Sequence, residues 1–282
     1  MTFLSRLVAL LPLSFAHLLG AALGSIVYWL SPRYRHFLDR NLAQAGFGNE
    51  AARRAAVAEA GKGLLELPAL WLRAHEEVAA RVVQVSGWDL IEAAQKRGRG
   101  IIFLTPHLGC FEITAQYYTL NAPLTVLYRP PKKRSIEALI QTGRNRRNMR
   151  LASADLKGVR VLLRALKAGE AIGMLPDQAP GVGEGEWAEF FGRPAYTMTL
   201  FGRLAESSGA AVILAYAERL PRGRGYHLHL EAMPDALPGE TPARQLNRAL
   251  EGLVRQCPAQ YMWGYNRYKR PAGAPSPPAA GC

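Results

Sequence analysis

Short apolar runs at residues 100–104, 124–128, 171–175 and 211–216 alternate with longer stretches of helical pattern along most of this chain. Runs of that length, bounded by Gly, Pro or Asp, are of buried-strand type. Further strands are expected at 82–85 and 226–231. Helices are expected at 50–73 (interrupted by Pro68), 88–97, 109–118, 135–148, 159–167, 196–208 and 241–256. Strands alternating with helices specify an α/β fold, a mixed sheet flanked by helices. Ligands of such sheets bind beyond the carboxyl ends of the strands. His107, Arg129 and Asp177 each follow directly on an expected strand, so parallel neighbouring strands would bring their loops to one edge.

His107 and Glu112 are the sharpest chemical candidates. An apolar strand stops at Pro106, an imidazole follows, and a carboxylate stands five positions later. A histidine that acts as a base needs a partner on its other ring nitrogen. On one continuous helix a five-residue offset turns by about 140°, and the two side chains would diverge. They meet only if His107 lies in a loop and Gly109 opens the helix. The competing reading is a capping or surface histidine.

Residues 7–30 form an apolar run in which His17 is the one side chain able to carry charge near neutral pH. At about 1.5 Å per residue, 24 residues cross a hydrocarbon core of ~30 Å. A signal peptide and a helix lying in the membrane surface are the rivals, and Pro12 and His17 weaken a clean span. Arg33, Arg35 and Arg40 follow the run and only Arg6 precedes it, which would put the remainder in the cytoplasm. The expected organisation is a membrane anchor at 1–31, a catalytic domain at 32–270 and a disordered Pro/Ala/Gly-rich tail at 271–282.

The formal charge is +13, from 35 Lys+Arg against 22 Asp+Glu. Beside an apolar anchor, that excess suits anionic membrane lipid or an acidic carrier better than nucleic acid, for which no recognition pattern is present. Residues 129–150 concentrate it: Arg129, Lys132, Lys133, Arg134, Arg144, Arg146, Arg147 and Arg150. Arginines suit phosphate, although a solvated basic helix is the plainer alternative. Asp177 could likewise be only a turn residue. Cys110, Cys257 and Cys282 are odd in number and far apart, which excludes a disulfide framework. A Cys110–His107 nucleophile pair is disfavoured. His227 and His229 share a strand face, but no third ligand is suggested nearby, so no metal site is expected.

Several segments together resemble the late acyltransferases of lipid A biosynthesis (lauroyl and myristoyl transferases), within the lysophospholipid acyltransferase superfamily. They are the His107–Glu112 motif, Tyr128-Arg129-Pro130, Gly143-Arg144, Leu175-Pro176-Asp177-Gln178, Phe190-Phe191-Gly192, Tyr261-Met262-Trp263 and Arg267-Tyr268-Lys269. The resemblance runs from the apolar N-terminus to Arg270. It implies a glycerolipid acyltransferase-like fold and transfer of an acyl chain from an acyl carrier protein thioester to a hydroxyl of a lipid A precursor. A lysophospholipid or other lipid hydroxyl is the alternative acceptor. His107 would be the general base and Glu112 its orienter. Free amides at Leu108-Gly109, or Arg144, would stabilise the oxyanion. Arg129, Arg144, Arg147 and Asp177 would contact substrate. No cofactor is implied, and the setting would be the inner membrane. A membrane-anchored basic binding protein needs no His–Glu contact, and a hydrolase would use the same pair with water.

Overall fold

The computed structural model describes residues 3–130 and 134–278. The apolar N-terminus is not one helix. It breaks before Pro12 into α1 (Phe3–Leu10) and α2 (Leu13–Leu30), because a proline cannot continue the hydrogen-bond ladder. Ser31 then caps α3 (Pro32–Gln44), Asn49 caps α4 (Glu50–Leu72), and α5 (His75–Ala79) follows. α4 runs on past Pro68 to Leu72.

The rest alternates as the pattern demands: β1 (Val82–Ser86), α6 (Trp88–Arg97), β2 (Ile101–Leu104), α7 (Phe111–Tyr118), β3 (Leu124–Tyr128), α8 (Arg134–Arg144), β4 (Met149–Ser153), α9 (Leu156–Lys167) and β5 (Ala171–Met174). Then come β6 (Gly185–Phe190), β7 (Arg193–Met198), α10 (Leu200–Ser208), β8 (Ala211–Arg219), β9 (Tyr226–Ala232) and α11 (Pro242–Gln256). Among the described residues, seven strands form one mixed sheet in the order β1-β9-β8-β2-β5-β3-β4. All neighbours are parallel except β8 and β9. Central β2 is buried throughout: Ile102 and Leu104 join the core beneath α9, α10 and α11, and Ile101 and Phe103 join the core beneath α6 and α7. Burial on both faces is why it reads as a continuous apolar run.

Two elements differ from the sequence expectation. The basic segment yields a helix only to Arg144. Asn148 takes a left-handed conformation (φ 68°) and starts edge strand β4. Residues 196–198 are strand rather than helix, paired in the β6–β7 hairpin. Its two-residue turn is Phe191-Gly192, with φ of 47° and 72°. Positive φ at both positions suits the right-handed twist of a hairpin. The strained Phe191 is pinned by Glu251, which accepts from its amide, and by Gln44, which donates to its carbonyl.

α2 is apolar enough to enter a membrane, yet a third of it is buried on α4. The contact is glycine on glycine: a Cβ at Gly61 would stand 1.9 Å from the Gly20 carbonyl oxygen, and one at Gly24 2.2 Å from that of Val57. Such close backbone approach is typical of helices in lipid. His17 of α2 is buried and shares a hydrogen bond of 3.2 Å with Glu66 of α4. Arg73 ties α1 down through the carbonyls of Ala9 and Leu11. Gly61→Val should therefore lower stability by at least about 1–3 kcal/mol, the range for overpacking. Thermal melting in detergent checks this, and an unchanged midpoint would mean that α2 is not seated on α4.

The tail is partly docked. Ala274 is buried, Trp187 donates to the Pro275 carbonyl and Arg270 to that of Ala274. Residues 279–282, with Cys282, lie outside the described residues.

Candidate active site

β2, β5 and β3 are parallel neighbours, so the loops after them open on one edge. The loop after β2 carries His107 and the loop after β5 carries Asp177. The His107 ring meets Asp177 rather than Glu112. Nδ1 lies 2.8 Å from Asp177 Oδ1, and the His107 amide donates to Oδ2 at 3.0 Å. Asp177 is 2 % exposed. Burial acts to raise its pKa. The His107 charge and the hydrogen bonds from the His107 side chain and backbone outweigh it, and the carboxyl is held below its usual range. An ionised Asp177 can only accept, so Nδ1 donates to it and Nε2 is the ring nitrogen left facing away from the carboxylate. Gln178 Nε2 approaches that nitrogen at 3.3 Å.

Glu112 does stand in the first turn of α7, buried, but with other partners. It accepts from Trp71 Nε1 at 3.3 Å and pairs with Arg144 through both Nε and Nη2. Burial would lower the Arg144 pKa, and Glu112 more than offsets it. The neighbouring Gly143 has a packing reason, since a Cβ there would lie 2.2 Å from the Trp71 ring. Trp71 was not singled out in the sequence. Its one available signal is that a buried indole N–H seeks an acceptor.

Among the described side chains of the basic cluster, most are already engaged. Arg129 is exposed and pairs with Glu184 at 3.1 Å. Arg146 donates to the carbonyls of Leu70 and Arg73, and Arg150 pairs with Glu170. Arg147 is exposed in the turn before β4. Lys132 and Lys133 lie outside the described residues, as does the Arg134 side chain.

The amides at the His107 loop are not free. Leu108 donates to Pro106, Gly109 to Gln260 and Cys110 to Ala217. α7 opens at Phe111, so the expected free amides at Leu108-Gly109 are absent, and Arg144 is the remaining expected candidate. Cys110 is no nucleophile: burial, then the Glu66 charge, push its thiol well above the usual range. Beneath the loop, Arg219 donates to the Gly109 carbonyl at 2.7 Å and to both oxygens of Glu66 at 2.9 Å, and Tyr226 donates to Glu66 as well. Burial raises the Glu66 pKa, Arg219 and His17 outweigh it, and Glu66 stays ionised.

An apolar groove of about 460 Å³ reaches this edge, lined by α2 (Leu23, Val27), α4 (Ala60, Leu64), His107, Glu112 and the Tyr261–Tyr265 segment. A smaller cavity of about 50 Å³ lies behind Glu112 and Arg144, between the sheet and α6 and α7, among Phe103, Val126 and Ala215. A histidine held by a buried carboxylate at the end of an apolar groove has the geometry that proton abstraction from a lipid-borne group would need.

The family model for bacterial lipid A biosynthesis acyltransferases matches residues 1–270. The chain belongs to that family and is an acyltransferase. It is 32% identical to the lipid A biosynthesis lauroyltransferase of Escherichia coli (strain K12), over 96% of this chain and 90% of that protein. The palmitoleoyltransferase of the same strain is 28% identical over 77% of this chain and 71% of its own length, and the myristoyltransferase 26% over 76% and 68%.

Loss of the Arg144 charge should act through Glu112. Arg144→Ala strands a buried carboxylate and should lower kcat/KM by an amount on the order of 2–3 kcal/mol, whereas exposed Arg147→Ala should cost little. A Glu112→Gln/Arg144→Gln cycle should show strong coupling. Additive effects in the assay would separate the two residues.

Proposed function

We propose that this protein moves a fatty acyl chain from an acyl carrier protein thioester to a hydroxyl of a lipid A precursor at the cytoplasmic face of the inner membrane. The observation that carries this reading is the His107–Asp177 pair, with Nδ1 held by an ionised carboxylate, at the mouth of the apolar groove. The acceptor oxygen attacks the thioester carbonyl as its proton passes to His107 Nε2. The C–S bond then breaks and the proton leaves on the carrier thiol. Asp177 orients the ring and stabilises the imidazolium. Glu112, which lines the groove, holds Arg144 at the smaller cavity behind it, from where its guanidinium offsets charge on the tetrahedral oxygen. Arg129, exposed past the carboxyl end of β3, meets acceptor phosphate, whereas Arg147 stands in the turn before β4, at the other end of the parallel β3–β4 pair, and takes no part. The acidic carrier and the anionic bilayer match the +13 charge, and Arg33, Arg35 and Arg40 orient the apolar segment.

The decisive assay offers purified protein a defined lipid A precursor with acyl carrier proteins loaded with chains of several lengths. Coenzyme A thioester, lysophospholipid acceptor and water alone serve as competing arms. Transfer to the precursor from the carrier is expected. Faster transfer to lysophospholipid, or hydrolysis alone, would overturn the assignment.

A further inference from the structure

β8 and β9 carry a second constellation on the sheet, apart from the His107 edge. In their antiparallel register Glu218 stands opposite His227, and His229 lies two residues further along β9. Residues two apart on a strand share a face, so all three side chains project together. The imidazole centroids are 3.8 Å apart, and His229 Nε2 lies 3.1 Å from Glu218 Oε2. One ligand atom from each residue falls within 4.8 Å of the others. Ser86 of β1, exposed, places its hydroxyl 2.8 Å from His227 Nε2. All three residues are half-buried, so the cluster is open to solvent on one side.

We infer that Glu218, His227 and His229 form a binding site for a zinc-class divalent cation. Two imidazoles and a carboxylate supply three of the four positions of a tetrahedral shell, and water or the Ser86 hydroxyl supplies the fourth. At metal–ligand lengths of about 2.0–2.2 Å, neighbouring ligands in such a shell stand about 3.3–3.6 Å apart. The His229–Glu218 separation is already close to that edge, and modest side-chain rotation brings in the rest. Magnesium and calcium prefer shells of oxygen alone and are disfavoured. The sequence showed the histidine pair but not the third ligand, because Glu218 joins only through strand pairing. The site also has a position of consequence. Its neighbours on β8, Ala217 and Arg219, point to the opposite face and hold the Cys110 amide and the Gly109 carbonyl. A cation on Glu218 would stiffen the strand that supports the His107 loop.

The test uses the full chain without a histidine tag, stripped with EDTA and titrated with ZnCl2 or MgCl2 by calorimetry and thermal melting. One zinc per chain and a melting rise of several degrees are expected with zinc and not with magnesium. His229→Gln and Glu218→Gln should keep the apo melting point close to that of the parent and lose the stoichiometric zinc. If the parent takes up no zinc, or both variants take up as much as the parent, the site does not exist. Acyl transfer need not be measured, so the outcome is independent of the substrate assignment.

Discussion

His107→Ala should lower acyl transfer by about 10²–10⁴-fold, the range a positioned base contributes, with membrane association retained and the melting point lowered, because the buried Asp177 carboxylate keeps the residue 107 amide but loses the ring. Asp177→Asn should be almost as damaging. An amide at that position can donate to Nδ1, which moves the ring proton to Nε2 and removes the base. The equivalent exchange in a serine-protease triad costs on the order of 10⁴ in turnover. The double variant should be little worse than either single change, because the pair acts as a unit. Glu112→Gln should be milder, and its loss should follow that of Arg144. The pKa of folded Asp177 is depressed, so its contribution to stability is fully present above the unfolded value of about 3.9 and is lost as pH falls through the lower folded value. Activity lost on milder acidification would therefore report proton uptake by a group other than Asp177. Near-normal transfer by Asp177→Asn beside a dead Glu112→Gln would return the ring's partnership to Glu112.

Glu66→Ala is the second large effect. Glu66 is 1 % exposed and receives Arg219, Tyr226 and His17 together. Its removal leaves the buried Arg219 charge with Glu59, at 3.4 Å, as its remaining carboxylate among the described residues, beside the neutral acceptors Gly109 and Gln260. Breaking a buried pair in this way costs about 3–5 kcal/mol. Glu66→Gln should lose less, since it keeps acceptor capacity. Urea unfolding in detergent micelles measures both, and a loss under about 1 kcal/mol for the alanine variant would mean that water reaches the cluster.

Much of the scaffold could be read from the alternation of strand and helix runs. The strand-end positions of His107 and Asp177 were legible because β2 and β5 are buried on both faces and therefore conspicuously apolar. Which carboxylate meets the ring was not. Local spacing pointed to Glu112, five residues on, whereas Asp177 is 70 residues away and becomes a neighbour only through the strand order β2-β5. Strand order depends on long-range packing that no local period encodes. Glu112 was correctly placed in the first helical turn, but its partner Arg144 arrives on α8 from across the sheet edge. β4 was hidden because it is a half-polar edge strand continuing a basic segment. The β6–β7 hairpin was hidden because its turn uses Phe191, a residue that seldom adopts positive φ.

The glycine seam between α2 and α4 has a consequence for anyone wishing to prepare this enzyme without detergent. Leu23 and Val27, from the most lipid-like stretch of the chain, form one wall of the groove that ends at His107. Their helix also delivers His17 to the Glu66 cluster under the His107 loop. Trimming the hydrophobic N-terminus to gain solubility would open the side of that groove and expose a buried ion cluster to water. A water-soluble version must be sought instead by recolouring the outward face of α2, at Leu18, Ile26 and Trp29, with the glycines left untouched.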